Sequence, residues 1–210
     1  MVKEGIPFIL AMLIIAAACA LLYFWIDSRI GEIVFLLFLA IFIFLAAFMA
    51  YFFRDPQRTV PGEADIVVSA ADGRVTRVEE RENGKFISVF LSPLDVHINR
   101  APIAGQITKI EHIEGKKKPA TSDEASLINE RNSLTIEGEK MTVVCTQIAG
   151  IVARRIVCWR KTGDNLELGE KFGLIKFSSR TDLLMPNEVE VLVKVGDRVV
   201  GGETVVARLN

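Results

Sequence analysis

The sequence is poor in the residues that build redox and metal centres. Its 210 residues include three cysteines and two histidines. No Cys-x-x-Cys pair occurs, and Cys19 lies inside an apolar run, so neither a disulfide scaffold nor a His/Cys zinc site is expected. A reducing compartment and a metal-free site follow as expectations. The chain also lacks a charge excess, with a formal net charge of −1. Residues 1–53 hold only Lys3, Glu4, Asp27, Arg29 and Glu32 as charges, which leaves basic and acidic side chains equal in number over 54–210. A nucleic-acid partner is disfavoured, because binding phosphates requires a clustered basic excess.

Apolar residues are abundant, at 50%, and they are concentrated at the start. Residues 6–26 and 33–53 are two charge-free runs, each long enough as a helix to cross the hydrocarbon of a bilayer. The six residues between them permit only a tight hairpin, which predicts a transmembrane hairpin over 1–53 and a separate domain over 54–210. Tyr23, Trp25 and Tyr51 stand near span ends, where amphipathic rings favour the interface. A cleavable signal peptide fits poorly, because a second span follows at once and no small-residue cleavage region intervenes. Lys3, Arg54 and Arg58 flank one side and Arg29 the other, so the expected location is the cell membrane, with the larger domain on the cytoplasmic face.

Beyond residue 65 the pattern changes to short runs of β type punctuated by glycine: 66–69, 74–78, 86–91, 106–110, 133–136, 142–147, 151–159, 188–195 and 204–209. The expected fold is mainly β, a compact sandwich or barrel-like domain of short strands. Start signals in 120–131 suggest a short helix or an ordered loop. The stretch from Val193 to Thr204 resembles the hammerhead segment of biotinyl and lipoyl carrier domains, but the nearest hairpin tip, Leu184-Met185-Pro186-Asn187-Glu188, has no lysine to modify. A membrane-tethered, non-enzymatic adaptor of biotinyl/lipoyl type is therefore an alternative reading.

With two histidines, the search for a base that activates a nucleophile is short. His97 lies between Pro93 and Pro102 in a polar turn after a strand, whereas His112 alternates outward beside Glu111. Asp72 precedes Gly73 in a turn-like pair, and Ser178-Ser179 closes an apolar run. A conventional serine hydrolase has these residue types but would need a G-x-S-x-G elbow, which the sequence does not have at Ser179. Arg54, Arg58 and Lys116-Lys117-Lys118 are candidates for contact with anionic headgroups, and no substrate-binding residue is fixed by pattern.

Taken in order, several segments resemble the short, membrane-anchored branch of the phosphatidylserine decarboxylases. They are Phe52-Phe53-Arg54-Asp55-Pro56-Gln57-Arg58, Ala70-Ala71-Asp72-Gly73, Leu91-Ser92-Pro93-Leu94-Asp95-Val96-His97-Ile98-Asn99-Arg100-Ala101-Pro102, Asn129-Glu130-Arg131-Asn132-Ser133 and Phe177-Ser178-Ser179-Arg180. The resemblance runs from about residue 50 to the end. It implies a self-processing lyase in which Ser179 cuts the bond between Ser178 and Ser179 and becomes a covalent pyruvoyl group, the cofactor. It further implies His97 as the base, with Asp72 and Asp95 to orient it, and a two-chain product of residues 1–178 and 179–210 whose higher oligomeric state stays open. The implied substrate is a membrane serine phospholipid, phosphatidylserine or its archaeal relative archaetidylserine, decarboxylated to the ethanolamine lipid. Two positions depart from the family pattern. Ser178 stands where the family has glycine, as in the pyruvoyl histidine decarboxylases, which resemble it in cutting a Ser-Ser bond. Arg100 stands where longer members have a second histidine.

Overall fold

The computed structural model describes residues 1–115, 128–150, 155–177 and 179–209. The chain divides into two compact units, Met1–Pro56 and Gln57–Asn210.

In the first unit, a 3-10 turn at Lys3–Gly5 leads into helix α1 (Ile6–Tyr23), and a short connection leads to α2 (Arg29–Phe52). Pro7 stands in the first turn of α1, where a missing N–H breaks no helical bond. Ser28 is the extended residue ahead of α2, and its carbonyl accepts the Glu32 N–H at 2.9 Å. The helices differ from the charge-free runs. α1 stops at Tyr23 rather than 26, and α2 starts at Arg29 rather than 33, with Arg29 exposed to solvent and the Glu32 carboxylate suited to the positive N-terminal end of the helix. The Val2 N–H donates to the Phe53 carbonyl at 3.0 Å, and Phe8 stacks on Phe53 with ring centroids 5.7 Å apart, so the hairpin is closed at its open end. Both helices are long and apolar enough to cross a membrane, and Ile14, Leu37 and Phe44 are among the side chains they leave exposed. A core helix of a soluble protein would bury such residues.

The second unit is built of antiparallel strands, in agreement with the mainly β expectation. In chain order they are β1 (Ile66–Val68), β2 (Gly73–Arg81), β3 (Gly84–Leu91), β4 (Ile98–Arg100), β5 (Gly105–Ile113), β6 (Arg131–Glu137) and β7 (Thr142–Ala149). There follow β8 (Arg155–Cys158), β9 (Asn165–Leu166), β10 (Lys171–Lys176), β11 (Ser179–Met185), β12 (Val189–Val191), β13 (Arg198–Val199) and β14 (Val205–Leu209). An eight-stranded, curled sheet has the order β13-β2-β3-β11-β7-β6-β5-β9, and two three-stranded sheets have the orders β4-β10-β8 and β1-β14-β12. The expected helix or loop at 120–131 and the first part of the run at 151–159 fall largely outside the described residues.

Alternation places the core. On β6, Asn132, Leu134 and Ile136 are buried while their neighbours are less so, and Leu134 and Ile136 join Ile87, Val89, Cys145 and Leu183 in one apolar cluster. The strands β3 and β11 are different, being buried on both faces for most of their length. Gly73 opens β2 rather than turning a hairpin. Its φ of 152° and a Cβ that would meet the Phe90 carbonyl at 2.1 Å leave room for glycine alone.

Candidate active site

Ser179 is the first residue of β11, the strand held between β3 and β7. Its register partners are Leu91 on one side and Ala149 on the other. The residue is fully buried, and its Oγ has no hydrogen-bond partner among the described residues. A buried hydroxyl left in that state costs about 1–3 kcal/mol, so it calls for a reason other than stability. Asn129 fixes the strand opposite: its Nδ2 donates to the Ala149 carbonyl at 2.8 Å, and the Ala149 N–H donates to Glu130 O at 3.0 Å. That gives the Asn129–Ser133 motif a structural purpose beside Ser179.

His97 is buried and immediately precedes β4. The turn before it is shaped by Asp95, whose carboxylate accepts from the Ser92 N–H at 2.8 Å and the Ser92 hydroxyl at 2.6 Å. The imidazole Nδ1 lies 2.9 Å from the Asp95 main-chain carbonyl. A carbonyl only accepts, so Nδ1 carries the hydrogen and, in the neutral ring, Nε2 is the basic nitrogen. The His97 carbonyl in turn accepts the Ile175 N–H of β10 at 3.2 Å, which ties this residue to the strand that leads toward Ser179. The second histidine, His112, sits half exposed on β5, 3.8 Å from Glu130.

The Asp72 carboxylate faces other partners. One guanidinium nitrogen of Arg58 reaches its two oxygens at 2.9 and 2.7 Å, and the Gly201 N–H donates to Oδ1 at 2.9 Å. Of the two acids expected to orient His97, Asp95 therefore meets the ring through its main chain, whereas Asp72 is bound to Arg58 and Gly201. Ser178 and Lys116-Lys117-Lys118 lie outside the described residues.

Two buried polar groupings around Ser179 escaped the sequence reading. In the first, Asn132 donates to Gln147 Oε1 at 3.0 Å, Gln147 to Asn99 Oδ1 at 2.8 Å, and Asn99 to Thr181 Oγ1 at 2.8 Å. The Asn99–Thr181 bond joins the two segments of interest, for two positions back along each stand His97 and Ser179. The sequence marked none of them out: three amides and a threonine, each beside another polar or charged residue. In the second grouping, Arg180 Nε and one terminal nitrogen grip Asp182 at 2.9 Å each, and Ser88 Oγ donates to Asp182 at 2.7 Å. Burial pushes the Asp182 carboxyl above the ordinary carboxylate range, against the opposing pull of Arg180 and Ser88. Across that window the folded chain keeps a proton that the unfolded chain has released. The group's contribution to stability therefore falls as pH rises through it.

Removing the carboxylate alone is expected to be costly. Asp182→Ala strands a buried cation and should destabilise the domain by about 3–5 kcal/mol in urea unfolding, whereas replacing both partners with apolar residues should cost far less. Asp182→Asn should in addition flatten the pH slope of stability. Cys145, directly opposite Leu183, offers no rival nucleophile, since full burial raises its thiol pKa far above neutrality.

The arrangement therefore offers a buried hydroxyl with no partner among the described residues, an imidazole held in the tautomer of a base, and polar bonds that fix both segments. Residues 45–207 match the family model for phosphatidylserine decarboxylase. A phosphatidylserine decarboxylase proenzyme of Symbiobacterium thermophilum is 44% identical over 99% of this chain and 94% of its own. One from Carboxydothermus hydrogenoformans is 42% identical over 100% and 96%, and one from Gluconobacter oxydans is 51% identical over 78% and 77%. The chain belongs to the phosphatidylserine decarboxylase family, and it is a decarboxylase by that membership.

Proposed function

We propose that this chain cuts itself between Ser178 and Ser179 and then decarboxylates a serine phospholipid at the membrane, with a pyruvoyl group made from Ser179 as its cofactor. The observation that carries the proposal is the Ser179 hydroxyl, buried at the start of a central strand with no described partner to satisfy it. The site fits such a group: the Oγ that must react makes no hydrogen bond among the described residues.

In the self-processing step Ser179 Oγ adds to the carbonyl carbon of residue 178 and the C–N bond breaks, giving an ester and a free amine at 179. His97 Nε2 takes the hydroxyl proton and returns it to the departing nitrogen. Loss of the Ser179 α-proton then expels the residue 178 carboxylate. The dehydroalanine left behind takes up water and releases ammonia, leaving the pyruvoyl group at the head of 179–210. When formed, that ketone supplies an electron sink for the carboxylate lost from the substrate's serine headgroup. His97 supplies the proton to the carbon that has lost carbon dioxide. Asp95 orients His97 through its carbonyl. Asp72 enters with a different partner from the one expected, as the carboxylate that joins Arg58 to Gly201.

The two products should stay together. The strand β11 lies between β3 and β7, β13 pairs with β2, and β14 lies between β1 and β12, so residues 179–210 are woven into two sheets. Processed protein is expected to elute as one species in gel filtration under native conditions and to part into two chains only in denaturant. Early release of the small chain would contradict the proposed two-chain state. The two apolar helices bring the enzyme to its lipid, and the distribution of Lys3, Arg54 and Arg58 against Arg29 favours a cytoplasmic catalytic domain.

The adaptor reading leaves the buried Ser179 hydroxyl and the His97 tautomer without a purpose. The test is carbon dioxide release from vesicles containing phosphatidylserine. Activity should be lost after treatment with a ketone reagent such as hydroxylamine and should survive a fluorophosphonate. A fluorophosphonate adduct on Ser179 of an uncut chain that releases no carbon dioxide would make the protein a serine hydrolase instead.

A further inference from the structure

Phe177 has a φ of +66°, the left-handed region that a bulky side chain enters only under constraint. The constraint is visible on both sides of it. The strand β10 ends at Lys176 and is paired along its length with β8 and with β4, its Ile175 N–H bound to the His97 carbonyl. The strand β11 begins at Ser179 in a different sheet, paired from its first residue with Leu91 and Ala149. It is pinned further by the Asn99–Thr181 bond and by the bond that Ser88 of β3 donates to Asp182. Only positions 177 and 178 carry the chain from one sheet to the other, and neither strand can yield without losing paired residues.

We propose that Phe177 is a positioning residue whose left-handed backbone stores strain against the bond that is cut, and that this strain drives self-processing. The inference rests on the proposed cleavage at Ser179 and adds the device that sets its rate. The chemistry supplies a route for release. In the intact chain, residue 178 is joined to the Ser179 Cα through one nitrogen, in a planar amide. In the ester the path runs through Oγ and Cβ, one atom longer and free of that plane. The corner slackens as the ester forms, so the strain raises the starting state more than the ester or the transition state leading to it.

A series at this one position tests the idea. Glycine takes φ of +66° without penalty and asparagine at a reduced one, whereas leucine bears the same backbone cost as phenylalanine and lacks only the ring. Relief of one such conformation corresponds to roughly a tenfold change in rate. Phe177→Gly is therefore expected to slow splitting of freshly made full-length chain by about that factor, Phe177→Asn to fall between, and Phe177→Leu to process like the parent. Hydroxylamine added during processing traps the ester, and the trapped fraction should fall in the glycine variant by the same factor as the rate.

Unchanged or faster splitting in Phe177→Gly overturns the proposal. So does a Phe177→Leu variant as slow as the glycine one, which would assign the effect to ring packing. Circular dichroism on each variant, made also in a Ser179→Ala background, shows whether the sheets are retained. Should Ser179→Ala itself still be split, the cleavage reading fails, whatever Phe177 does.

Discussion

Ser179→Ala is expected to yield one uncut chain that releases no carbon dioxide from phosphatidylserine vesicles. The effect should be complete, because the substitution removes both the nucleophile of the first reaction and the carbon skeleton from which the pyruvoyl group is made. A serine that merely assisted a reaction would leave residual turnover. The variant should also fold at least as well as the parent. In the uncut parent chain its hydroxyl is buried without a described partner, so replacing it with a methyl group removes an unsatisfied polar atom and should leave stability, measured against that uncut chain, unchanged or raised by about 1 kcal/mol. Loss of splitting together with an unaltered or higher urea midpoint is thus the expected pair of results. A destabilised variant would mean that Oγ makes a bond in the folded chain.

The second large effect is at His97. His97→Asn places an amide N–H where Nδ1 now faces the Asp95 carbonyl at 2.9 Å, so the local bond is kept while the basic nitrogen is lost. General base catalysis by a positioned side chain contributes roughly 10²–10⁴-fold, and splitting should slow by a factor in that range. The time course of chain 179–210 on a denaturing gel measures it directly. His97→Ala should be as slow and also less stable, since it leaves the Asp95 carbonyl without its donor. Rapid splitting in His97→Asn would remove the imidazole from the first reaction and transfer the role of base elsewhere.

The sequence made some features legible and hid others for physical reasons. The two long apolar helices were plain because apolarity over a full span is a statement about solvent, independent of any tertiary partner. Their ends were less so, since Arg29 and Glu32 tolerate a first helical turn as well as they do a loop. Strands with one wet face, such as β2 and β6, announced themselves by alternation. The strand that matters most, β11, did not. Arg180, Thr181 and Asp182 are a polar triplet outside every expected strand, yet each is buried because Arg180 pairs with Asp182, Asn99 donates to Thr181 and Ser88 donates to Asp182, bonds that water would otherwise supply. Such satisfaction is tertiary and leaves no local trace.

The candidate residues were found by the company they keep, several short motifs in a fixed order. Their partners were not. The resemblance implied Asp72 as an acid that orients the imidazole, whereas the three hydrogen bonds its carboxylate accepts come from Arg58 and Gly201, one from the segment after the helices and one from the turn between β13 and β14. No spacing rule links positions 58, 72 and 201. The left-handed Phe177 was equally invisible, because strain at a corner depends on what clamps both of its sides.

The most direct measurement is the intact mass of the purified wild-type protein. The account predicts two species, residues 1–178 with a free carboxyl terminus and residues 179–210 blocked to Edman degradation, the smaller lighter than its encoded mass by the conversion of serine to pyruvoyl. A fully active preparation containing only the unbroken 210-residue chain would contradict it.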